Sequence, residues 1–341
     1  MLYDFDLTAL RDAMRAPFPS IAPQLEPFYA MLEYHLGWRD ERLQPQFGAA
    51  GKLVRPRLCT LACLAVGGQA EQVRPLAAAL QLLHEMTLVH DDIQDRSEHR
   101  RGRSTVWRRW GDAQAINVGD ALLILGQMAL ERLMAAGYPP KLVLDIIRAI
   151  NQTALAICEG QYLDLAFEER LELTEADYLA MVERKTARLL GISLRTGALA
   201  GGGSAEVAIS LEEYGIALGL AYQAQDDVLG IWGDPAVTGK PVADDLYRRK
   251  KSLPVVHALA HAVPEDRERL RTLLTTAELT DANVQEMLDI LARAGSRAAT
   301  EQTVSRYSRL ACDALAKVPQ CPPAVREELQ TLAMALELRT S

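Results

Sequence analysis

The stretch Leu88-Val-His-Asp-Asp-Ile-Gln-Asp-Arg-Ser-Glu-His-Arg-Arg-Gly102 places three carboxylates just ahead of two arginines. Apolar residues recur at helical spacing from Leu76 to Val89, which predicts a helix that ends in this acidic cluster. Asp91 and Asp95 are one helical turn apart and can bind the same cation, whereas Asp92 points about 100° away, toward a base or water. The helix dipole disfavours carboxylates at this end, so their placement favours a bound cation. Oxygen-only ligands suit Mg²⁺, which proteins usually bind together with substrate phosphates.

A second acidic pair, Asp226 and Asp227, lies in Tyr222-Gln-Ala-Gln-Asp-Asp-Val-Leu-Gly-Ile-Trp-Gly-Asp-Pro235. It also follows an apolar run at helical spacing, residues 216–222. One such motif alone is more often a solvated acidic helix end. Two acidic clusters that end two apolar helices can face each other across the cavity of a helical bundle.

Basic residues occur in two settings that favour an anionic ligand. Lys52 and Arg55, in Gly51-Lys-Leu-Val-Arg-Pro56, share one face near a helix start that Pro56 fixes. Cations there oppose the helix dipole, so they indicate a bound anion, with a solvated basic turn as the alternative. Lys185, in Lys185-Thr186, is surrounded by apolar residues, which is costly unless an anion such as phosphate pairs with it.

Together with Gly239-Lys-Pro241, these motifs resemble those of the trans-type isoprenyl diphosphate synthases, the short-chain enzymes that make farnesyl and geranylgeranyl diphosphate. The resemblance runs from about Gly51 to Pro254, with every motif in family order. It implies the isoprenoid synthase fold, a single-domain multi-helix bundle around a deep apolar cavity.

Composition independently predicts an all-α protein. Of the 341 residues, 49% are hydrophobic and only 6% aromatic, and Ala and Leu dominate, which favours helix over strand. We expect one domain with N-terminal helices in 1–47, a catalytic core in 48–260 and scaffold helices in 261–341. Pro17, Pro19 and Pro23 should separate two short helices in the first segment.

Charge and cysteine content narrow the function classes and the location. A net charge of −8 argues against nucleic-acid binding, which usually needs a basic face. Five cysteines, an odd number without framework spacing, indicate reduced thiols and a cytoplasmic protein. The acidic N-terminus lacks the features of a signal peptide, and charges interrupt every long apolar stretch, so no stable membrane insertion is expected.

The resemblance implies a role for each motif residue. Lys52, Arg55, His84 and Arg101 would bind isopentenyl diphosphate, and Arg100, Lys185 and Lys240 the allylic diphosphate. Asp91, Asp95 and Asp226 would hold three Mg²⁺ ions, with Mn²⁺ as a substitute. Gln161 would point at the active site beside Asp164, an acid that holds a lysine, and Thr186 would lie near the reacting carbons. The remaining catalytic candidates are Asp92, Asp227 and Gln223.

One position departs from the family pattern. The usual second motif is DDxxD, and Gly230 stands at its third acidic position. In similar enzymes the first aspartate of this motif makes most of the direct metal contact. We therefore expect activity to survive, with less water-mediated support for that metal.

The implied reaction is head-to-tail condensation of isopentenyl diphosphate with an allylic diphosphate. A terpene cyclase of the same fold would not need Lys52, Arg55, His84 and Arg101, which are present. A non-catalytic partner subunit usually has a degraded first motif, and here that motif is intact. A phosphohydrolase is the third alternative, but the six histidines include no convincing metal set for it.

Product length and assembly are the finer expectations. Farnesyl-making relatives tend to have aromatic residues at the positions of Met86 and Thr87, and one turn deeper lies Leu83. These side chains would form the closed end of the cavity that holds the growing chain. That end would lie one helical turn, ~5.4 Å, deeper than in farnesyl synthases, which is about the length of one isoprene unit. We therefore expect geranylgeranyl diphosphate as the product, with farnesyl or a C25 product next. Family members are mostly homodimers, and we expect a dimer through one apolar stripe: Leu122, Leu123, Leu125, Met128 and Leu130.

Overall fold

The computed structural model describes residues 5–46, 51–234 and 241–335. Within those residues the regular structure is helical apart from one short hairpin, which confirms the all-α prediction. The chain forms two compact units, Met1–Asn151 with Ser193–Ala208, and Gln152–Ile192 with Ile209–Ser341. The single domain and its division at residues 47 and 260 stay predictions.

The first unit contains the helices that lead up to and away from the first acidic motif. In chain order these elements are α1 Leu7–Arg15, α2 Glu26–His35, α3 Val54–Ala65, α4 Arg74–Gln94, β1 His99–Arg100, β2 Arg103–Ser104, α5 Val106–Trp110 and α6 Asp112–Ala135. The predicted proline break separates α1 from α2, and Pro56 lies in the first turn of α3, where its missing N–H costs no helical bond.

Helix α6 packs along α4, the helix that ends in the first acidic motif. At Gly126 the two helices are close enough that an added Cβ would be in van der Waals contact with α4, 3.4 Å from the Ala79 carbonyl oxygen. By length and composition α6 is apolar enough to cross a membrane, and 44% of its most apolar 18-residue window is buried within the protein.

The second unit contains the second acidic motif and the lysine helix. Its elements are α7 Pro140–Glu168, α8 Glu175–Val182, a π-helical turn Glu183–Ala187, α9 Arg188–Ala200, α10 Ala205–Trp232, α11 Asp244–Tyr247, α12 Leu253–His261, α13 Pro264–Thr275, α14 Asp281–Arg293, α15 Ser296–Ala316 and α16 Pro323–Met334. Three of these helices, α7, α9 and α10, have one end in the first unit.

An apolar core in this unit fixes α11 beside the end of α10. Ile231 of α10 and Leu246 of α11 are fully buried in one cluster with the amphipathic faces of α13 and α14. The backbone N–H of Ala243 also donates to the Ile231 carbonyl over 3.1 Å. This packing places the acidic residues at the end of α10 next to those of α11. The scaffold role of α13 and α14 stays a prediction.

The apolar stripe predicted for a dimer interface is mostly internal to the chain. Leu122, Leu125 and Leu130 are at most 4% exposed, because this face of α6 belongs to the core of the first unit. The large apolar side chains that α6 does expose are Ile116, Ile124, Met128 and Met134. The stripe was therefore assigned to the wrong face, with Met128 its one strongly exposed member.

Candidate active site

The first acidic motif divides into a buried and an accessible part. Asp92 is 2% exposed, and its Oδ1 accepts a hydrogen bond from Arg100 Nε over 2.8 Å. Burial raises the pKa of Asp92, and the Arg100 guanidinium opposes that rise. Asp91 is partly exposed and Asp95, which ends α4, is exposed. Asp92 therefore positions Arg100, as its predicted direction implied, while Asp91 and Asp95 stay accessible.

Asp91 and Asp95 fit a hard divalent cation. The Asp95 N–H donates to the Asp91 carbonyl over 2.8 Å, so the two residues are one helical turn apart. Both carboxylates lie at the negative end of the α4 dipole, an unfavourable place that a bound cation offsets. An all-oxygen, partly solvated donor set is what Mg²⁺ prefers.

The two arginines after the motif lie on a hairpin, with Arg100 at the end of β1 and Arg101 in the turn. His99 pairs with Ser104 and Arg100 with Arg103, and the two turn residues, Arg101 and Gly102, have φ of 53° and 74°. Positive φ at both turn positions is the geometry of a tight hairpin. The side chains consequently diverge: Arg100 reaches the Asp91 and Asp92 carboxylates, and Arg101 reaches Glu85 over 2.9 Å.

The residues predicted to bind isopentenyl diphosphate converge in the first unit. Arg55 Nη1 lies 3.1 Å from His84 Nε2, which joins the start of α3 to the middle of α4. Gly51 lies against Arg101, since a Cβ added to it would be 3.1 Å from the guanidinium Nη2. Lys52 follows Gly51 and is exposed. Burial, reinforced by Arg55, lowers the pKa of His84, so a neutral imidazole can accept the Arg55 hydrogen bond.

Glu85 is the buried counter-charge of this basic cluster. It is 2% exposed and accepts from Arg101 Nη2 over 2.9 Å and Gln81 Nε2 over 2.6 Å, and His35 Nε2 lies 2.9 Å from it. Burial alone would raise the pKa of Glu85, but His35 and Arg101 outweigh it and hold the pKa well below its usual range. The carboxylate therefore fixes Arg101 while leaving the cluster net positive.

The lysine of the second unit is held by an acid on α7, as the resemblance implied. Lys185 Nζ donates to Asp164 Oδ2 over 2.5 Å. Gly160 makes this possible, because a Cβ there would lie 2.4 Å from the Lys185 backbone nitrogen, so only glycine lets α7 come this close. Gln161 lies on α7 between Gly160 and Asp164. Its Nε2 is buried and has no hydrogen-bond partner among the described residues. A polar ligand beside Lys185 would satisfy it.

Lys185 and Thr186 lie on a π-helical turn, Glu183–Ala187, between α8 and α9. Such single π turns often occur at functional sites, since the extra residue redirects side chains relative to an α-helix. Both side chains are partly exposed.

The second acidic pair also divides into accessible and buried members. Asp226 is exposed, whereas Asp227 is 0% exposed and accepts from the Tyr178 hydroxyl, from Gln223 Nε2 over 3.1 Å and from the Leu253 N–H over 3.0 Å. Burial raises the pKa of Asp227, which these donors counteract. Asp226 is thus placed to bind a cation. Asp227 and Gln223, predicted as catalytic, form the internal support of the motif.

Lys250 lies beside this network and faces several carboxylates. Its Nζ is 4.0 Å from Asp227 Oδ1. Burial would lower the pKa of Lys250, but Asp227, Asp245, Asp164 and Asp226 together raise it, so the ammonium stays charged. A permanent cation next to the second motif adds to the positive charge that Lys185 supplies.

Another residue occupies the space beside Gly230, where the family's usual motif has an aspartate. A Cβ added to Gly230 would lie 2.2 Å from Asp245 Oδ2 and 2.6 Å from its Cγ. Asp245, 6% exposed on α11, therefore fills the space of a side chain at position 230. A carboxylate is present near the third position of the motif, but a different residue provides it.

The residues predicted to set product length lie in α4. Leu83 and Met86 are 2% and 8% exposed, and the Thr87 hydroxyl donates to the His84 carbonyl over 2.7 Å. Their effect on product length stays a prediction. Lys240, the third predicted allylic-diphosphate cation, lies outside the described residues.

Sequence reasoning did not identify Tyr178, Lys250, Asp245 or Glu85. The basic run 248–251 was a signal for Lys250, but nothing in the sequence distinguished it from the other basic residues of the run. Tyr178, Asp245 and Glu85 act through partners up to 50 residues away, and no local pattern indicates such pairs.

The chain is similar to several proteins that are named prenyl diphosphate synthases. A (2E,6E)-farnesyl diphosphate synthase of Mycobacterium bovis is 39% identical over 92% of this chain and 87% of its own length. A geranylgeranyl diphosphate synthase of Mycobacterium tuberculosis is 36% identical over 90% of this chain and 86% of its own length. The crystal structure of a polyprenyl synthetase from Streptomyces coelicolor A3(2) matches with a TM-score of 0.87 and 36% identity, covering 96% of each chain.

The sequence model of the family described as polyprenyl synthetase matches residues 38–291, about three quarters of the chain. This span includes both acidic motifs and, apart from His35, every basic residue placed above. The fold is that of the similar structure, the all-α isoprenoid synthase fold. The chain therefore belongs to the polyprenyl synthetase family, the trans-isoprenyl diphosphate synthases, and is a short-chain trans-prenyltransferase.

Proposed function

We propose that this enzyme is a Mg²⁺-dependent geranylgeranyl diphosphate synthase that adds isopentenyl diphosphate head to tail to an allylic diphosphate. The observation that supports this most is the basic cluster of the first unit, in which Arg55 bonds His84 and Arg101 lies against Gly51. A reaction with one diphosphate substrate would not need this cluster in addition to Lys185 and Arg100.

The basic cluster would bind isopentenyl diphosphate. Arg55 and Arg101 present planar guanidinium groups that can pair two phosphate oxygens at once. Lys52 adds an exposed charge, and neutral His84 orients Arg55. Glu85 holds Arg101 in place, so less side-chain entropy is lost when the substrate binds.

The resemblance assigns Arg100, Lys185 and Lys240 to the allylic diphosphate, and Lys250, beside the second motif, would add a further positive charge in the second unit. Asp92 and Asp164 fix the first two of these cations before substrate arrives. Cations held in advance stabilise the charge that develops on the departing pyrophosphate without reorganising.

Asp91, Asp95 and Asp226 would hold the Mg²⁺ ions, which the resemblance puts at three. When bound, these ions supply Lewis-acid stabilisation of the leaving diphosphate. Isopentenyl diphosphate then attacks the allylic carbon through its double bond, and Thr186 would lie near the reacting carbons. The last proton would go to the released pyrophosphate.

Product length rests on the α4 side chains before Asp91. Thr87 is small and Met86 flexible, so neither blocks a growing chain as firmly as an aromatic ring. Relatives of both farnesyl and geranylgeranyl type are similar to this chain to nearly the same degree. The proposal of geranylgeranyl diphosphate therefore depends on these positions.

We also propose a cytoplasmic homodimer without stable membrane insertion. The face of α6 that supports a dimer is the exposed one, with Ile116, Ile124 and Met128. Light scattering at micromolar concentration tests this, and a monomer would contradict it.

The test of the function is mass spectrometry of the products formed from isopentenyl diphosphate, Mg²⁺ and each allylic donor in turn. We expect a C20 diphosphate as the main product. A cyclic hydrocarbon formed without isopentenyl diphosphate would support a cyclase instead. No turnover of any donor would support a non-catalytic partner subunit.

A further inference from the structure

A cluster of two histidines and a glutamate lies in the second unit, apart from the residues assigned to the reaction. His257 and His261 are four residues apart on α12, so they share one face of the helix, with ring centroids 4.5 Å apart. Glu175, the first residue of α8, places its Oε1 3.4 Å from His261 Nε2. One donor atom from each residue lies within 4.8 Å of the other two.

The cluster is held by contacts outside itself. Glu175 follows Thr174, whose side chain forms a reciprocal capping box with Asp177 and fixes the start of α8. His257 Nδ1 lies 3.1 Å from the hydroxyl of Ser296, which is fully buried at the start of α15. When Nδ1 donates to this hydroxyl, Nε2 has a free lone pair. A hydrogen bond on the second imidazole nitrogen is the usual support of a metal-binding histidine.

The donor chemistry differs from that of the aspartate motifs. Two imidazole nitrogens and one carboxylate oxygen are a set that Zn²⁺ binds, whereas Mg²⁺ prefers oxygen alone. Bonds of about 2.0–2.1 Å in a tetrahedron put donor atoms ~3.3 Å apart, close to the His261–Glu175 separation. All three donor atoms lie within 4.8 Å of one another, so the widest pair must close by at most about 1.5 Å to reach that value. The His261 side chain is 60% exposed and has room to adjust.

We propose that Glu175, His257 and His261 form a Zn²⁺ site with water in the fourth position, separate from the Mg²⁺ chemistry of the aspartate motifs. The ion would join α8 to α12.

A metal ion at this place would stabilise the contacts that hold Asp227 of the second acidic motif. Tyr178 of α8 and the first N–H of α12, that of Leu253, both donate to the Asp227 carboxylate. The metal would hold together the two helices that fix Asp227, and it would stabilise this unit without touching substrate.

The experiment is calorimetric titration of the full-length, chelator-treated protein with Zn²⁺ in excess Mg²⁺. We expect one strong site per chain, a Zn²⁺-dependent rise in Tm, and at least a tenfold loss of affinity in His261→Ala and Glu175→Gln. His261 is largely exposed, so its variant should fold, which circular dichroism checks. His99→Ala, at an exposed histidine outside the cluster, and Cys158→Ser, at an exposed thiol, should bind as the wild type does.

The proposal is overturned if the wild type binds no Zn²⁺, in which case His261 and Glu175 are a simple ion pair. It is equally overturned if His261→Ala binds Zn²⁺ with unchanged affinity. Loss of binding in Cys158→Ser alone would assign the ion to the thiol. A Co²⁺ titration adds a check independent of activity, since a four-coordinate nitrogen and oxygen site should give a visible absorption band that the His261→Ala variant lacks.

Discussion

We predict that the two adjacent aspartates of the second motif have different roles: Asp226 is catalytic and Asp227 is structural. Asp226→Asn changes an exposed carboxylate, so the free energy of unfolding should change by no more than about 0.5 kcal/mol. Turnover should fall about a hundredfold to a thousandfold or more, because a charge that stabilises the transition state is lost.

Asp227→Asn should behave in the opposite way. Three donors converge on the Asp227 carboxylate, and the asparagine amide can accept from only one side, so at least one donor loses its partner. Losing one charge-assisted hydrogen bond costs about 1.5–3 kcal/mol, which lowers Tm by about 3–12 °C for a unit of this size. Well below Tm, this variant should retain more turnover than Asp226→Asn.

Thermal unfolding followed by circular dichroism measures the stability of both variants, and incorporation of labelled isopentenyl diphosphate measures turnover. Tyr178→Phe is the matched control, since it removes one donor to Asp227 and leaves both aspartates in place. It should lower Tm less than Asp227→Asn does. An unchanged Tm in Asp227→Asn, or an equal fall in Asp226→Asn, would refute the division of roles.

The other predictions concern binding, the altered motif, pH and product length. Arg55→Ala should raise the KM for isopentenyl diphosphate about tenfold to a hundredfold, with a smaller effect on the allylic KM in steady-state kinetics; equal effects on both substrates would contradict the assignment. Gly230→Asp should lower Tm because its side chain collides with Asp245, and adding Asp245→Ala should restore part of the loss; additive losses in the double variant would show that the two sites are independent. The pKa of Glu85 is lowered on folding, so its contribution to stability is complete above its unfolded pKa of about 4.3 and declines as pH falls below that value. Urea unfolding should therefore show a stability difference between wild type and Glu85→Gln that shrinks from pH 7 to about pH 3, and a constant difference would refute this. Met86→Phe should shorten the main product by one isoprene unit in mass spectrometry, and an unchanged distribution would place the floor elsewhere.

Local sequence patterns were sufficient for the elements that hold the site. Apolar spacing predicted a helix ending at the first motif, and α4 ends at Gln94 with Asp95 as its cap. The one-turn separation of Asp91 and Asp95 follows from helix geometry alone. The pairing of Lys185 with Asp164 was implied by family resemblance and agrees with the structure. These features depend on neighbours within a few residues or on motifs already known.

Only the tertiary structure separated accessible from buried members of each acidic pair. Asp226 and Asp227 are adjacent and chemically identical, and the burial of Asp227 is fixed by Tyr178 and Leu253, which lie far away along the chain. The same reason applies to Asp245, which fills the space beside Gly230 because the core packs α11 against α10. Periodicity records which face of a helix is apolar, but not which distant residue meets it. It therefore could not show that most of the α6 stripe is internal, or that Glu175 comes together with His257 and His261.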